Sequence, residues 1–126
     1  MSHTTPQETI AEFSTLLAAG DLAGLLELYE EDAVFAPEPG RTVSGLPAIR
    51  EALEAFLALR PQMTGEVRKV LVARDTALVM NRWQLRGTGP NGEAIELAGT
   101  SADVLRRGAD GSWRIVIDDP WGGAGA

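Results

Sequence analysis

Residues Glu93–Arg107 read EAIELAGTSADVLRR. On a period of two, Ile95, Leu97, Gly99, Ser101, Asp103 and Leu105 share one face, the pattern of a long strand with one side against a core. Asp103 stands where that face should carry something apolar. A carboxylate there must be paired with a cation, protonated through a raised pKa, or lining a cavity.

Working outward, three further stretches alternate on the same period: Met63–Ala73, Thr76–Arg86 and Ser112–Asp118. Their connections are turn-like: Arg74-Asp75, the Gly- and Pro-rich residues 87–92, and Gly-Ala-Asp-Gly at 108–111. Upstream the period changes to that of helices. Thr5-Pro6-Gln7-Glu8 forms a capping box with proline at the first helical position. Ile10, Phe13, Leu16 and Leu17 follow at helical spacing, and Gly20 marks the stop. Asp21 caps a second short helix with a stripe of Leu22, Leu25, Leu26 and Tyr29, and Glu30-Glu31-Asp32 breaks it. The segment AVFAPEPGRTVSG (33–45) reads as short extended pieces joined by turns. Pro47 opens a third helix with Ile49, Leu53, Phe56 and Leu57 on one face, and Pro61 ends it.

Helices first and hairpin-connected strands second predict an α+β domain, with the helices on one face of an antiparallel sheet. Long, twisted strands curl around such helices and leave a cavity between the layers. The 126 residues suffice for one domain, residues 1–126, with an ordered core at about 6–122 and a mobile GGAGA tail.

The chain has no cysteine and one histidine, His3. Disulfides, thiol nucleophiles, a Ser-His-Asp triad and histidine-rich metal sites are therefore excluded. Carboxylates without a recognisable loop spacing predict no metal, and no cofactor is expected. A net charge of −7 with scattered Lys and Arg argues against nucleic acid and anionic membranes as partners. No signal peptide or long apolar run is present, so the expectation is a cytoplasmic protein without a membrane segment.

The order of elements and several local stretches resemble one family. They are Gly20-Asp21-Leu22 with Leu25 and Tyr29, Asp32-Ala33, Ser44-Gly45 through Ala48-Ile49-Arg50-Glu51, residues 101–107 (SADVLRR), and Asp110-Gly111-Ser112-Trp113-Arg114-Ile115. Together they resemble the SnoaL-like and ketosteroid isomerase-like bacterial branch of the nuclear transport factor 2-like superfamily, over roughly residues 7–122. The resemblance implies a cone-shaped, curved antiparallel sheet with three N-terminal helices packed on its concave face. It also implies a ligand pocket and a homodimer formed through the sheet. It does not choose an activity, because the superfamily holds isomerases, cyclases, dehydratases, epoxide hydrolases and non-enzymatic binders.

Ketosteroid isomerases stabilise an enolate with a tyrosine and a protonated aspartic acid while a second carboxylate moves the proton. Carried onto this chain, the tyrosine position falls on Phe13 and the base position on Pro37, with Glu38 next to it. The acid falls on Asp103. Two of the three parts are absent at their own positions, so the resemblance does not imply steroid isomerisation.

The expected catalytic carboxylates are thus Asp103, Glu38 and Asp118, a set whose pKa values could be pushed apart for acid–base work. Phe13, Tyr29, Met80, Arg82, Trp83 and Trp121 are the expected substrate-binding residues. Each has a plainer reading. Asp103 can pair with Arg82 on the neighbouring hairpin strand; Glu38 can be a solvated loop residue; Asp118 before Asp119-Pro120 can be turn chemistry; Tyr29 can be helix packing. Trp113, alternating with Ile115 and Ile117, reads as core or interface, and Trp83 fits either face. An apolar outer face containing Val79, Trp83 and Leu85 would need a partner. The functional expectation is a cofactor-free isomerase, cyclase or dehydratase acting on a small apolar or cyclic metabolite. The alternative is a non-catalytic ligand-binding or dimeric association module.

Overall fold

A computed structural model describes residues 4–122. His3 and all but the first residue of the GGAGA tail lie outside the described residues. Three helices, α1 (Pro6–Ala19), α2 (Leu22–Glu27) and α3 (Leu46–Leu57), precede or interrupt six strands. The strands are β1 (Tyr29–Glu38), β2 (Arg41–Ser44), β3 (Gln62–Ala73), β4 (Thr76–Thr88), β5 (Ala94–Arg107) and β6 (Trp113–Asp119). They form one sheet in the order β2-β1-β6-β5-β4-β3. All neighbours are antiparallel except β1 and β6, which run parallel.

The helix ends follow the capping chemistry of the sequence. Thr5 Oγ1 accepts from the Glu8 amide at 3.3 Å and donates to Glu8 Oε1 at 2.9 Å. Gly20 closes α1 in the left-handed region at φ 71°, where a side chain would be strained. Asp21 Oδ1 accepts from the Gly24 amide at 2.9 Å. The third helix begins one residue before Pro47.

Two local readings need correction. Tyr29 opens β1 instead of continuing the α2 stripe. The Ile115 amide donates to the Leu28 carbonyl at 2.7 Å, so pairing with the last strand captures the chain there and outweighs the helical spacing. The acidic run 30–32 lies inside β1, and the Pro- and Gly-rich stretch after it completes β1 and makes β2. Pro37 is buried in that strand.

α1 packs on β3, β4 and β6, and α3 on β1 and β2. Between helices and sheet lies the core, with Leu17, Leu25, Phe35, Ile49, Leu53, Val79, Leu105 and Ile115 all buried. Thr9 in α1 is buried as well and donates to the Trp113 carbonyl at 2.8 Å, which pins the first helix to the last strand. Among the described residues no helix is long and apolar enough to cross a membrane.

Candidate active site

Cross-strand register decides which side chains meet. β4 and β5 pair with Val79 opposite Asp103, Asn81 opposite Ser101, and Trp83 opposite Gly99. Opposed residues share a face, so Asp103 points inward with Val79, Asn81, Trp83 and Leu85. The face that holds Val79, Trp83 and Leu85 is thus the concave, covered one.

Arg82 opposes Thr100 and sits on the outer face with Met80 and Gln84, lining a shallow groove there. The pairing of Asp103 with Arg82 is not formed. A one-residue difference in strand position places them on opposite sides of the sheet, and the same parity removes Met80 from the inner cavity.

β6 contributes the second acid through an irregularity. Val104 opposes Ile117 while the next residue, Leu105, opposes Ile115. Val116 is therefore an extra residue, a β-bulge that shifts the alternation. Trp113 and Ile115 stay inside, Ile117 turns outward, and Asp118 turns in opposite Asp103. The expectation that Ile117 shares a face with Trp113 and Ile115 fails at this bulge.

The two carboxyl groups lie within hydrogen-bonding reach of each other, and both are nearly inaccessible, at 4% and 7% exposure. No ion pair among the described residues involves either. Burial, then the charge of Asp118, pushes the Asp103 carboxyl well above the usual carboxylate range. Burial raises Asp118 too, while hydrogen bonds from Asp103 and Tyr29 pull it back. The direction is that of a pair sharing one proton, held on Asp103 and accepted by Asp118.

Three further contacts position the pair. The Tyr29 hydroxyl donates to Asp118 Oδ2 at 2.6 Å, and burial followed by the Asp118 charge keeps that phenol protonated far into the alkaline range. The Asp119 amide donates to Asp103 Oδ1 at 3.2 Å. The Ser101 hydroxyl, which donates to the Asn81 carbonyl at 3.2 Å, also lies near enough to Asp103 to favour its ionised form.

Asp103 and Asp118 form the polar end of a cavity of about 60 Å³ between helices and sheet. That is several times the ~10–15 Å³ that one water molecule needs. The remaining lining is mostly apolar. Ile10, Phe13 and Leu17 come from α1, Leu53 and Phe56 from α3, Phe35 from β1, and Met63, Trp83 and Leu85 from β3 and β4.

Pro120 and Trp121 close one side. Trp83 Nε1 donates to the Pro120 carbonyl at 2.7 Å and Trp121 Nε1 to the Ala36 carbonyl at 3.1 Å. The two indoles meet edge to face with centroids 5.3 Å apart. Gly99 makes room for this arrangement, since a Cβ there would lie 3.1 Å from both Trp83 Cζ2 and the Pro120 carbonyl oxygen.

Of the expected site residues, Phe13, Trp83, Trp121, Asp103 and Asp118 line the cavity. Tyr29 stands behind Asp118 as its hydrogen-bond donor. Glu38 does not join them. It is solvent-exposed, 3.7 Å from Arg41, because it closes β1 at the hairpin with β2. Asn81 and Ser14 line the cavity without having been singled out in the sequence. Asn81 had a signal: it interrupts the alternation Val79, Trp83, Leu85 with a carboxamide on the inner face. Among the described residues no group of three or more His, Cys, Asp or Glu could hold a metal ion.

Residues 10–116 match the SnoaL-like domain family. Among curated proteins none is similar enough in sequence to count as a relative. Solved structures give the same fold. An NTF2-like protein with a cystatin-like fold from Novosphingobium aromaticivorans superposes with a TM-score of 0.74 at 25% identity, over 88% of this chain and 75% of that one. A candidate dehydratase of the NTF2-like family from Streptomyces avermitilis gives 0.77 at 20% identity, over 90% of each chain. A ketosteroid isomerase-like protein from Erwinia carotovora atroseptica gives 0.73 at 23% identity, over 89% of this chain and 88% of that one.

Proposed function

The chain belongs to the SnoaL-like family of the nuclear transport factor 2-like superfamily, and from that premise we propose that it is a cofactor-independent enzyme moving protons on a small, mainly apolar metabolite. One observation carries this reading: a buried pair of opposed carboxyl groups at the polar end of a mostly apolar cavity. Structural acids are ordinarily paired with cations. These two are paired with each other, which leaves one proton shared between them and poised for transfer.

The roles follow from the contacts. Asp103 carries the proton and gives it to an oxygen of the ligand as negative charge develops there. Asp118 carries the negative charge and takes up a proton released from the ligand. Tyr29 is a positioning residue that fixes Asp118 and stabilises its carboxylate. Isomerisation or cyclisation returns the proton to another atom of the same molecule, and dehydration lets it leave with water. The fold's members include isomerases and dehydratases, in keeping with this chemistry.

The test uses carboxyl ¹³C NMR of aspartate-labelled protein together with solvent deuterium uptake by a panel of small ketones and hydroxyketones. At neutral pH one proton is expected on the pair, and the uptake is expected to vanish in D103N and D118N. Two ionised carboxylates at neutral pH, or uptake that survives D103N, would overturn the reading.

The second reading, an association module, is favoured by the outer face of the sheet. Leu71, Leu78, Val104, Ile117 and Val34 stand in cross-strand register across five strands, with Leu71 and Ile117 at 55% and 42% exposure. A row of this kind suits back-to-back packing of two copies. Light scattering is expected to give a dimer that I117K converts to a monomer. A monomeric wild type would remove this reading and leave the first untouched.

A further inference from the structure

The outer face of the sheet carries charges that the acid–base chemistry leaves unused. Of the eleven Lys and Arg residues, seven are ion-paired and four have no carboxylate partner among the described residues. Two of those four, Lys69 and Arg82, line the same open groove on the outer face. Neighbouring cations without carboxylates repel one another, and an anion placed between them is attracted by both.

A second bulge brings these charges together. Val67 of β3 opposes Asn81 and Lys69 opposes Met80, so Arg68 is the extra residue. Regular alternation would put Arg68 and Lys69 on opposite faces, but the bulge lets both line the outer groove. Arg82 stands two residues beyond Met80 on β4. It is a diagonal neighbour of Lys69, roughly 7–8 Å away between Cα atoms, near enough for both long side chains to hold one anionic group. Glu66 opposes Arg82 but forms its ion pair with Arg68, which donates to it at 3.0 Å. Three cations against this one carboxylate leave two positive charges over the groove.

We propose that this groove binds a small molecule bearing a phosphate monoester, at a site separate from the acid pair. The site shares no charged side chain with the inner cavity, so the inference goes beyond the acid–base reading and does not rest on it. A phosphate monoester carries about −1.5 to −2 at neutral pH, which matches the two uncompensated charges. The planar guanidinium of Arg82 takes two phosphate oxygens at once, and Lys69 adds a point charge. Gln84 and Thr100, exposed on the same face, supply neutral donors. Met80 and Ala98 offer an apolar floor for the rest of the molecule. The groove's volume of about 680 Å³ falls within the ~300–1,000 Å³ of small-molecule sites and exceeds what a bare ion would fill.

The test titrates phenyl phosphate into the protein at low ionic strength, read by calorimetry and by backbone amide NMR shifts. Saturable binding is expected, with shifts centred on Lys69, Arg82 and Thr100 and an affinity that falls as salt is added. R82Q weakens Kd about tenfold, the loss of a charge-assisted pair, and K69Q weakens it as well. E66Q tightens it, a gain that a folding defect cannot imitate. R86Q removes a charge from the same strand and face beyond the groove and leaves Kd unchanged. No saturable binding to the wild type would overturn the site, and so would equal losses in R82Q and R86Q, the mark of diffuse attraction alone. Inorganic phosphate binding as tightly as phenyl phosphate would overturn the monoester as the ligand class. A dimer that R82Q dissociates in light scattering, with phenyl phosphate unbound, would give the groove to a second copy and overturn a small-molecule ligand. None of these outcomes depends on the carboxyl titration that tests the shared proton.

Discussion

Replacing Asp103 with asparagine removes the shared proton while keeping the shape of the side chain and a donor for Asp118. The consequence is readable in stability. An unfolded aspartate titrates near ~3.9, and in the folded protein burial and the neighbouring Asp118 hold the Asp103 carboxyl well above that. Between the two values the native state binds one proton more than the unfolded chain, so stability falls as pH rises, by about 1.4 kcal/mol per pH unit. Above the folded-state pKa the slope ends, and below the unfolded value the contribution is fully present. At about 2.1 cal/mol/K per residue, the 126 residues give an unfolding entropy of about 0.26 kcal/mol/K, so Tm drops about 5 °C per pH unit inside the window.

Thermal melts of wild type and D103N from about pH 4.5 to about pH 8 measure this. The difference between them matters, because self-repulsion at a net charge of −7 also relaxes on acidification in both proteins. Asp110 has the opposite sign but lies outside the range. Arg114 holds it at about 2, so its contribution is lost only as pH falls through that value. Wild type is expected to show the extra downward slope with rising pH, and D103N to melt higher at neutral pH. Equal slopes in the two proteins would refute the shared proton.

Y29F removes the donor at 2.6 Å from Asp118 and leaves a buried carboxylate oxygen under-satisfied, for a loss of about 1–3 kcal/mol in chemical denaturation. The same variant raises the pair's pKa further, so its melting slope extends to higher pH than in the wild type. R82Q is expected to change stability by less than about 0.5 kcal/mol, because Arg82 lies on the outer face away from Asp103; a larger loss in urea would contradict the register. G99A drives a methyl against Trp83 and the Pro120 carbonyl; it is expected to cost about 1–3 kcal/mol and to shift tryptophan emission as the indole leaves its place.

Asp103 was legible because it breaks a clean alternation within its own strand, and so were the capped helices and the hairpin order. The position of Arg82 was not, since each strand's own pattern says which residues share a face but not which face meets a neighbour's. The loop between β4 and β5 sets that pairing, and it puts Val79 opposite Asp103. Tyr29 sits at helical spacing from Leu22, Leu25 and Leu26, yet a contact with a strand more than eighty residues later claims it. Long-range pairing of that kind leaves no local trace. Asp118 could be named as an acid near a strand's end, but its direction depends on a bulge at Val116, a residue unremarkable in sequence.

That bulge sets how far this scaffold stands from having no chemistry at all. Were Val116 taken into the regular ladder instead of bulging out, it would oppose Val104, Ile117 would turn in opposite Asp103 and close the cavity, and Asp118 would turn to the outer face. Asp103 would then face a hydrocarbon wall, and the sheet's outer row would lose its isoleucine. One bulged residue thus separates an apolar packing domain from a cavity with a buried acid pair. Changes that make or remove a bulge, more than changes of side chain, decide what faces the cavity of such a sheet.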